Sequence, residues 1–308
     1  GSIHAMAEGK AKVFMGMGGN FALAAPDTDK VFEGLKQCTL TLHVSTKLNR
    51  SHLIHGKNAL ILPCLGRTEK DISSHGPQFV STEDTAGRVR MSHGDLEPIS
   101  PLLKSEVGII CDMARAVLGP SNTTDWEGMK ENYDLIREKI AAVIPGFDKY
   151  NEKVRKAGGF YLPNGARERN FNTSDKKAQL TVNPLNPTRK PETPFILMTV
   201  RSHDQFNTSI YGYDDRYRGI SNSREVVMMN VEDMKNYDCK AGDLVKLTSL
   251  FAGEKRILEG FQVVPYDISP GCLSVYFPEG NVLVALDNNS AESHCPASKY
   301  IEVFLEKL

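Results

Sequence analysis

The chain lacks long apolar runs, paired cysteines and an excess of either charge, and each lack narrows what it can do. No apolar run approaches the roughly 18 residues that a membrane helix needs. No basic stretch followed by an apolar one marks a secretory leader. No membrane partner is therefore expected. The six cysteines, Cys38, Cys64, Cys111, Cys239, Cys272 and Cys295, are scattered, and none forms a Cys-x-x-Cys pair. That spacing speaks against a disulfide frame, a zinc site or an iron–sulfur cluster within the chain, so no metal ligand is assigned. It reads as reduced thiols in a cytoplasmic protein. The formal net charge is -1 over 308 residues, so no nucleic acid is expected as a partner.

Two catalytic signatures are also missing. No Gly-x-Ser-x-Gly elbow supports hydrolase chemistry. The glycine turn Gly16-Met-Gly-Gly-Asn20 follows a strand, but it departs from the nicotinamide dinucleotide fingerprint. Its third glycine position holds Phe21, and the next helix is expected only past Pro26. The second strand ends in Val44-Ser-Thr46, without the acidic residue that grips a ribose. The turn is either a plain tight turn or the seat of a different phosphate-bearing cofactor, since glycine lets main chain approach a phosphate closely.

What is present has an order. Ile3 to Gly9 reads as the last turns of a helix closed by a glycine, so the chain is expected to be cut from a longer one. Strands are predicted over Val13–Met15, Leu40–Val44 and Ala59–Pro63, with a helix from Asp27 to Cys38 capped by Asp27 or Thr28. Strand and helix in alternation argue for a mostly parallel α/β sheet. Ser100-Pro101 predicts a helix start, with Leu103, Val107, Ile110, Met113, Ala114 and Val117 on its apolar face. Thr124-Asp-Trp-Glu127 reads as a capping box, followed by a core face running from Trp126 through Tyr133 to Val143.

From 158 to 194, Gly158-Gly159, Pro163, Gly165, Pro184, Pro187, Pro191 and Pro194 predict an irregular crossing segment. It would divide a first domain, 1–157, from a second, 195–308. Candidate strands then follow closely: Phe195–Val200, Glu225–Met229, Leu244–Leu247, Ile257–Val264, Cys272–Phe277 and Tyr300–Phe304, with one helix at Val231–Tyr237. Many short strands suggest a small closed barrel.

The densest chemistry is Thr199-Val-Arg-Ser-His-Asp-Gln-Phe-Asn-Thr208, at the end of an apolar strand. Arg, Ser, His, Gln and Asn in one loop suit an anionic, heteroatom-rich ligand. Asn281 lies in a Pro/Gly turn after another strand and offers both a donor and an acceptor. His52 and His55 are three apart and read as exposed histidines or as a metal pair lacking a third ligand; His43 stands alone.

Taken in order, these features resemble the molybdopterin oxidoreductases. Gly-Gly-Asn20 after a strand, the Ala59–Pro63 strand and Glu83-Asp-Thr-Ala-Gly-Arg88 resemble the later part of their central domain. The Thr199-x-Arg loop, the Ala-Gly-Asp-Leu-Val turn at Gly242 and the turn at Asn281 resemble their C-terminal cofactor-binding domain. Gly158-Gly-Phe-Tyr-Leu-Pro-Asn-Gly-Ala-Arg and Ser202-His-Asp-Gln-Phe-Asn-Thr208 are closest to the formate-dehydrogenase-like alpha subunits.

The resemblance implies a partial Rossmann-like parallel sheet followed by a double-psi β-barrel. It also implies bis-(molybdopterin guanine dinucleotide) with molybdenum in the full-length protein. Gly18, Gly19 and Asn20 would approach a diphosphate, with Ser45 and Thr46 near a guanosine. Thr199, Arg201, Ser202, His203, Gln205 and Asn207 would line the other dinucleotide, and Asn281 would sit near a pterin edge. The catalytic residue, the metal ligand and any iron–sulfur cysteines would lie upstream, so this chain alone is expected to be inactive. Implied partners are the N-terminal part of the same subunit, a small-molecule substrate and an electron-transfer protein. The alternative is a non-catalytic nucleotide-binding or protein-interaction module on the same barrel.

Overall fold

A computed structural model describes residues 1–184 and 193–308; Pro187 and Pro191 of the expected crossing segment lie outside them. The chain forms two compact units. One joins Gly1–Leu62 to the described part of Asn186–Leu308; the other is Pro63–Leu185. The early strands thus pack with the late ones, across more than a hundred intervening residues.

The first unit opens with helix α1 (Ser2–Ala7) and strand β1 (Val13–Met17). Helices α2 (Phe21–Ala24) and α3 (Thr28–Gln37) follow, then strands β2 (Leu40–Ser45) and β3 (Asn58–Pro63). β1 runs parallel to β2, with Val13 opposite Leu40 and Met17 opposite Val44, and β3 flanks β2. Val31 and Leu35 of α3 are fully buried with Met6 and Ala22, as the apolar spacing of that helix predicts. The sequence places the next helix past Pro26, but α2 begins directly after Asn20.

The later strands are β4 (Phe195–Val200), β5 (Val226–Met229), β6 (Leu244–Phe251), β7 (Glu254–Pro265), β8 (Cys272–Tyr276) and β9 (Ile301–Lys307). They close into a barrel in the order β5-β7-β6-β9-β4-β8. The pairs β4–β8 and β5–β7 are parallel; the other neighbours are antiparallel. Period-two alternation points Leu197, Val227, Val245, Leu247, Leu273 and Val275 inward, all at 0% exposure. Each such side chain contributes about 1.5–3 kcal/mol by leaving water. The short helix α4 (Val231–Asn236) lies where its sequence predicts it, capped by the Asn230 side chain on Glu232 N–H.

The second unit departs further from expectation. Its sheet of Val80–Glu83, Arg88–Ser92 and Phe160–Tyr161 is antiparallel, so the parallel pattern does not continue past β3. Phe160 pairs with Val89, which makes the start of the expected crossing segment part of this sheet. The helix predicted from Ser100 begins at Glu106, capped by Ser105 on Gly108 N–H. Ile109 and Cys111 are buried there, while Val117 is exposed. The next cap is Asp125, one residue past the expected Thr124, and Asn132 interrupts the predicted long helix into Trp126–Glu131 and Tyr133–Val143.

Candidate functional site

The parallel pairing of β4 and β8 brings two loops to one rim of the barrel. Val200 stands opposite Tyr276, and Phe277 N–H donates to Val200 O at 2.7 Å just beyond. The loop after β4 carries residues 201–208; the turn after β8 is the 3-10 helix Glu279–Leu283. Gly280 lets that turn lie flat on the barrel end. A Cβ there would stand 2.5 Å from Val275 Cγ2 and 2.9 Å from Thr199 Cγ2.

Arg224 ties the two loops together. It is buried, and its Nε and Nη2 meet the two carboxylate oxygens of Glu279 at 2.6 and 3.0 Å. Nη1 donates to Ser202 Oγ at 2.7 Å, and Nη2 also reaches Gln205 Oε1 at 3.0 Å and Phe277 O at 2.8 Å. The guanidinium lies over the Tyr276 ring, 4.7 Å from its centroid. Below it, the Tyr276 hydroxyl donates to Asp215, which also holds Arg218. Burial pushes the Asp215 carboxyl up, but the hydrogen bonds from Arg218 and Tyr276 outweigh that and hold it below its ordinary value.

Ser202 and Gln205 therefore turn inward. Gln205 Oε1 accepts from Ser202 N–H at 3.0 Å, while its Nε2 donates to Asn207 O and Phe277 O, both at 2.7 Å. Thr199 is buried and donates through N–H and Oγ1 to Ser298 O. Arg201 and His203 face solvent. The His203 ring stacks on Tyr217 at 3.7 Å, and the Arg201 guanidinium has no ion-pair partner among the described residues. Beside it, Lys299 Nζ donates to Thr199 O. Burial, and then the charge of Arg201, lower the Lys299 ammonium's affinity for its proton.

The glycine bend of the first strands reaches the same rim. Gly18 and Gly19 both have φ near +60°, at 61° and 65°, the left-handed region that glycine enters without cost. Asn49 Nδ2 donates to Gly19 O at 2.8 Å, and Ser51 Oγ donates to Asn20 Oδ1 at 2.8 Å. Asn281 is buried, and its Nδ2 donates to Leu23 O at 2.7 Å, with Ala24 O and Ala25 O at 3.2 and 3.3 Å. Its amide therefore closes the end of α2 instead of presenting a donor to solvent. Asp27 carries no capping bond for α3; its carboxylate takes Arg256 Nη2 at 2.7 Å and Nε at 3.0 Å.

Between these segments lies a cleft of about 550 Å³. Asn20 lines it directly, while Asn207 and Asn281 do not, only their chain neighbours Thr208 and Val282. Arg50, Arg224, Glu225 and Glu279 form its charged wall. Ser45 and Thr46 lie outside that lining, as do Gly18, Gly19, Thr199, Arg201, Ser202, His203 and Gln205; Ser45 Oγ donates to Lys47 O at 2.6 Å. Sequence reasoning missed Arg224, Glu279, Asn49, Ser51 and Lys299. The one signal for Arg224 is a charged Ser-Arg-Glu run directly before an apolar strand.

His43 is not isolated. It is buried, and its ring lies 4.7 Å from that of His52. His52 Nδ1 accepts from Asn49 N–H at 2.8 Å, and His55 Nδ1 lies 2.7 Å from Gly56 O. Among the described residues no group of three or more His, Cys, Asp or Glu side chains is placed to hold a metal. No helix of the described residues is long and apolar enough to cross a membrane.

Comparison with known proteins adds an independent line. Residues 195–301 match the molydopterin dinucleotide binding domain. An uncharacterized oxidoreductase of Mycobacterium tuberculosis is 49% identical over 311 residues, covering 99% of this chain and 40% of that protein. Protein YdeP of Escherichia coli is 42% identical, covering 99% of this chain and 41% of its own length. The chain thus spans about 40% of the curated relatives it matches. Acetylene hydratase from Pelobacter acetylenicus shares the fold, with a TM-score of 0.64 at 14% identity over 100% of this chain and 46% of that one.

Proposed function

From residues 195–301, which match the molydopterin dinucleotide binding domain, we propose that the rim cleft takes the dinucleotide part of a molybdopterin-type cofactor. The form proposed is bis-(molybdopterin guanine dinucleotide) with molybdenum. The observation that carries this reading is the meeting of Asn20, the loop after β4 and the turn after β8 on a single cleft. The residues fit the group. Arg201 is an exposed fork without an ion-pair partner among the described residues, suited to phosphate oxygens. Nothing lies within 4 Å of a Cβ built at Gly18 or Gly19, so main chain there is open to a diphosphate.

Gly18, Gly19 and Asn20 would meet one diphosphate, with Ser45 and Thr46 toward its nucleoside. Arg201, His203 and Asn207 would face the other dinucleotide, while Thr199, Ser202 and Gln205 hold the loop. Asn281 would set the position of the turn that faces a pterin. Two parallel pairs in an otherwise antiparallel ring support the double-psi form of the barrel. When bound, the cofactor supplies redox chemistry at its metal; this chain's residues bind and orient it.

The whole protein is then read as a cytoplasmic, formate-dehydrogenase-like oxidoreductase. Its remaining length would supply the metal ligand and any iron–sulfur cluster, with a small-molecule substrate and an electron-transfer partner. Metal and pterin analysis of the full-length protein from molybdate-fed cells tests this. Molybdenum and a guanine-bearing pterin in stoichiometric amount support it. Neither, with GDP still bound, would instead assign a non-catalytic nucleotide-binding module.

A further inference from the structure

We propose that Arg224 is the positioning residue of this cleft, coupling the loop after β4 to the turn after β8 so that the two move as one. Two loops on one rim have no reason to keep a fixed spacing unless something buried spans them. Arg224 does so with five hydrogen bonds: two to Glu279, one to Phe277 O, one to Ser202 and one to Gln205. Removing Glu279 leaves the buried Nε without its acceptor, and removing Ser202 does the same to an Nη1 donor, a steep penalty that keeps the set together. Gln205 repeats the span on its own, joining Asn207 O to Phe277 O. That bond also pins Asn207 in its left-handed backbone, φ 52°, next to cleft-lining Thr208.

The planar fork is what the geometry demands. Lysine carries the same charge but cannot meet both oxygens of Glu279 while also reaching Ser202 and Gln205. The ring of Tyr276 beneath the guanidinium fixes its plane. Arg224 thus acts through the loops it joins, and its effect on ligand affinity rests on the cofactor reading above; its effect on loop motion does not.

Hydrogen exchange on this chain tests the coupling directly. In Arg224→Lys, amides of residues 201–208 and 277–283 are expected to exchange at least about tenfold faster together, while β6 and β7 keep their protection. Faster exchange in one loop alone, or in neither, overturns the proposal. If Arg224→Lys loosens the whole barrel, Glu279→Gln and Gln205→Ala decide by the same criterion. Titration with GDP supplies the second readout. Binding about tenfold weaker in Arg224→Lys than in the native chain, far below the melting temperature, supports positioning. Equal binding by both chains overturns it. A native chain that ignores GDP counts against the dinucleotide reading, and hydrogen exchange alone then decides whether the loops are coupled.

Discussion

The side-chain amide of Asn281 donates to the carbonyl of Leu23 at 2.7 Å, so a residue of the barrel's rim closes a helix that lies 258 positions earlier. The main-chain carbonyl of Asn281 returns the contact, accepting from Asp27 N–H at 3.0 Å. This exchange stitches the early strands onto the late barrel. It also uses the donor that sequence reasoning assigns to a pterin.

Asn281→Ala should therefore lower stability first. It strands carbonyls at the end of α2, and a buried acceptor left unmet costs about 1–3 kcal/mol. Thermal melts should show a clear fall in Tm without any ligand present. An unchanged melt would mean that the amide is free for other work.

Asp27 and Arg256 form a second stitch, both buried. Asp27→Asn leaves the guanidinium with only the exposed Glu254 as counter-charge, and breaking one side of a buried pair costs up to about 3–5 kcal/mol. Urea denaturation should place its midpoint well below that of the native chain. Replacing Glu254, the exposed third member of the cluster, should move stability by about 0–1 kcal/mol.

Gly280→Ala forces a methyl against Val275 and Thr199. Overpacking of this kind costs about 1–3 kcal/mol. The turn must lift from the barrel end, so GDP affinity and Tm should fall together. A melt and a titration on the same sample check it.

Arg201→Met offers the converse. The side chain is exposed and has no ion-pair partner among the described residues, so stability should change by no more than about 0.5 kcal/mol. If a phosphate is its partner, loss of a charged hydrogen bond worth about 1.5–3 kcal/mol weakens GDP binding more than tenfold. Calorimetry in low and high salt reads this; the native chain should show the steeper salt dependence.

His43 makes stability respond to acid. Burial, and then the neighbouring charge of His52, hold its imidazole below the ordinary 6.5. The folded state thus resists the proton that the unfolded state accepts. The stability it contributes is complete above about pH 6.5 and is lost as pH falls through the lower folded value. His43→Phe should flatten the decline in urea midpoint between about pH 7 and pH 5.

What was legible in the sequence follows from the range of the forces. Alternation along Phe195–Val200 located that strand correctly because inside and outside differ at every second residue, while Cys272–Tyr276, buried from Leu273 onward, is read from its apolar run. Local capping chemistry misled where two candidates stood close: Ser100 against Ser105, Thr124 against Asp125. Propensity could not choose between them, and packing did. The joining of the first strands to the barrel was invisible, because Asp27 and Arg256 are 229 residues apart. Arg224 was missed for a related reason. A buried arginine is recognised by its partners, and those come from separate stretches of chain.

Closing the six strands on themselves has one more consequence. A ring without a free border offers no template for a stray strand to join. The loops at its mouth can therefore lengthen, shorten or be exchanged between relatives without inviting aggregation. Ligand preference could drift by loop replacement alone, while the hoop beneath stays the same.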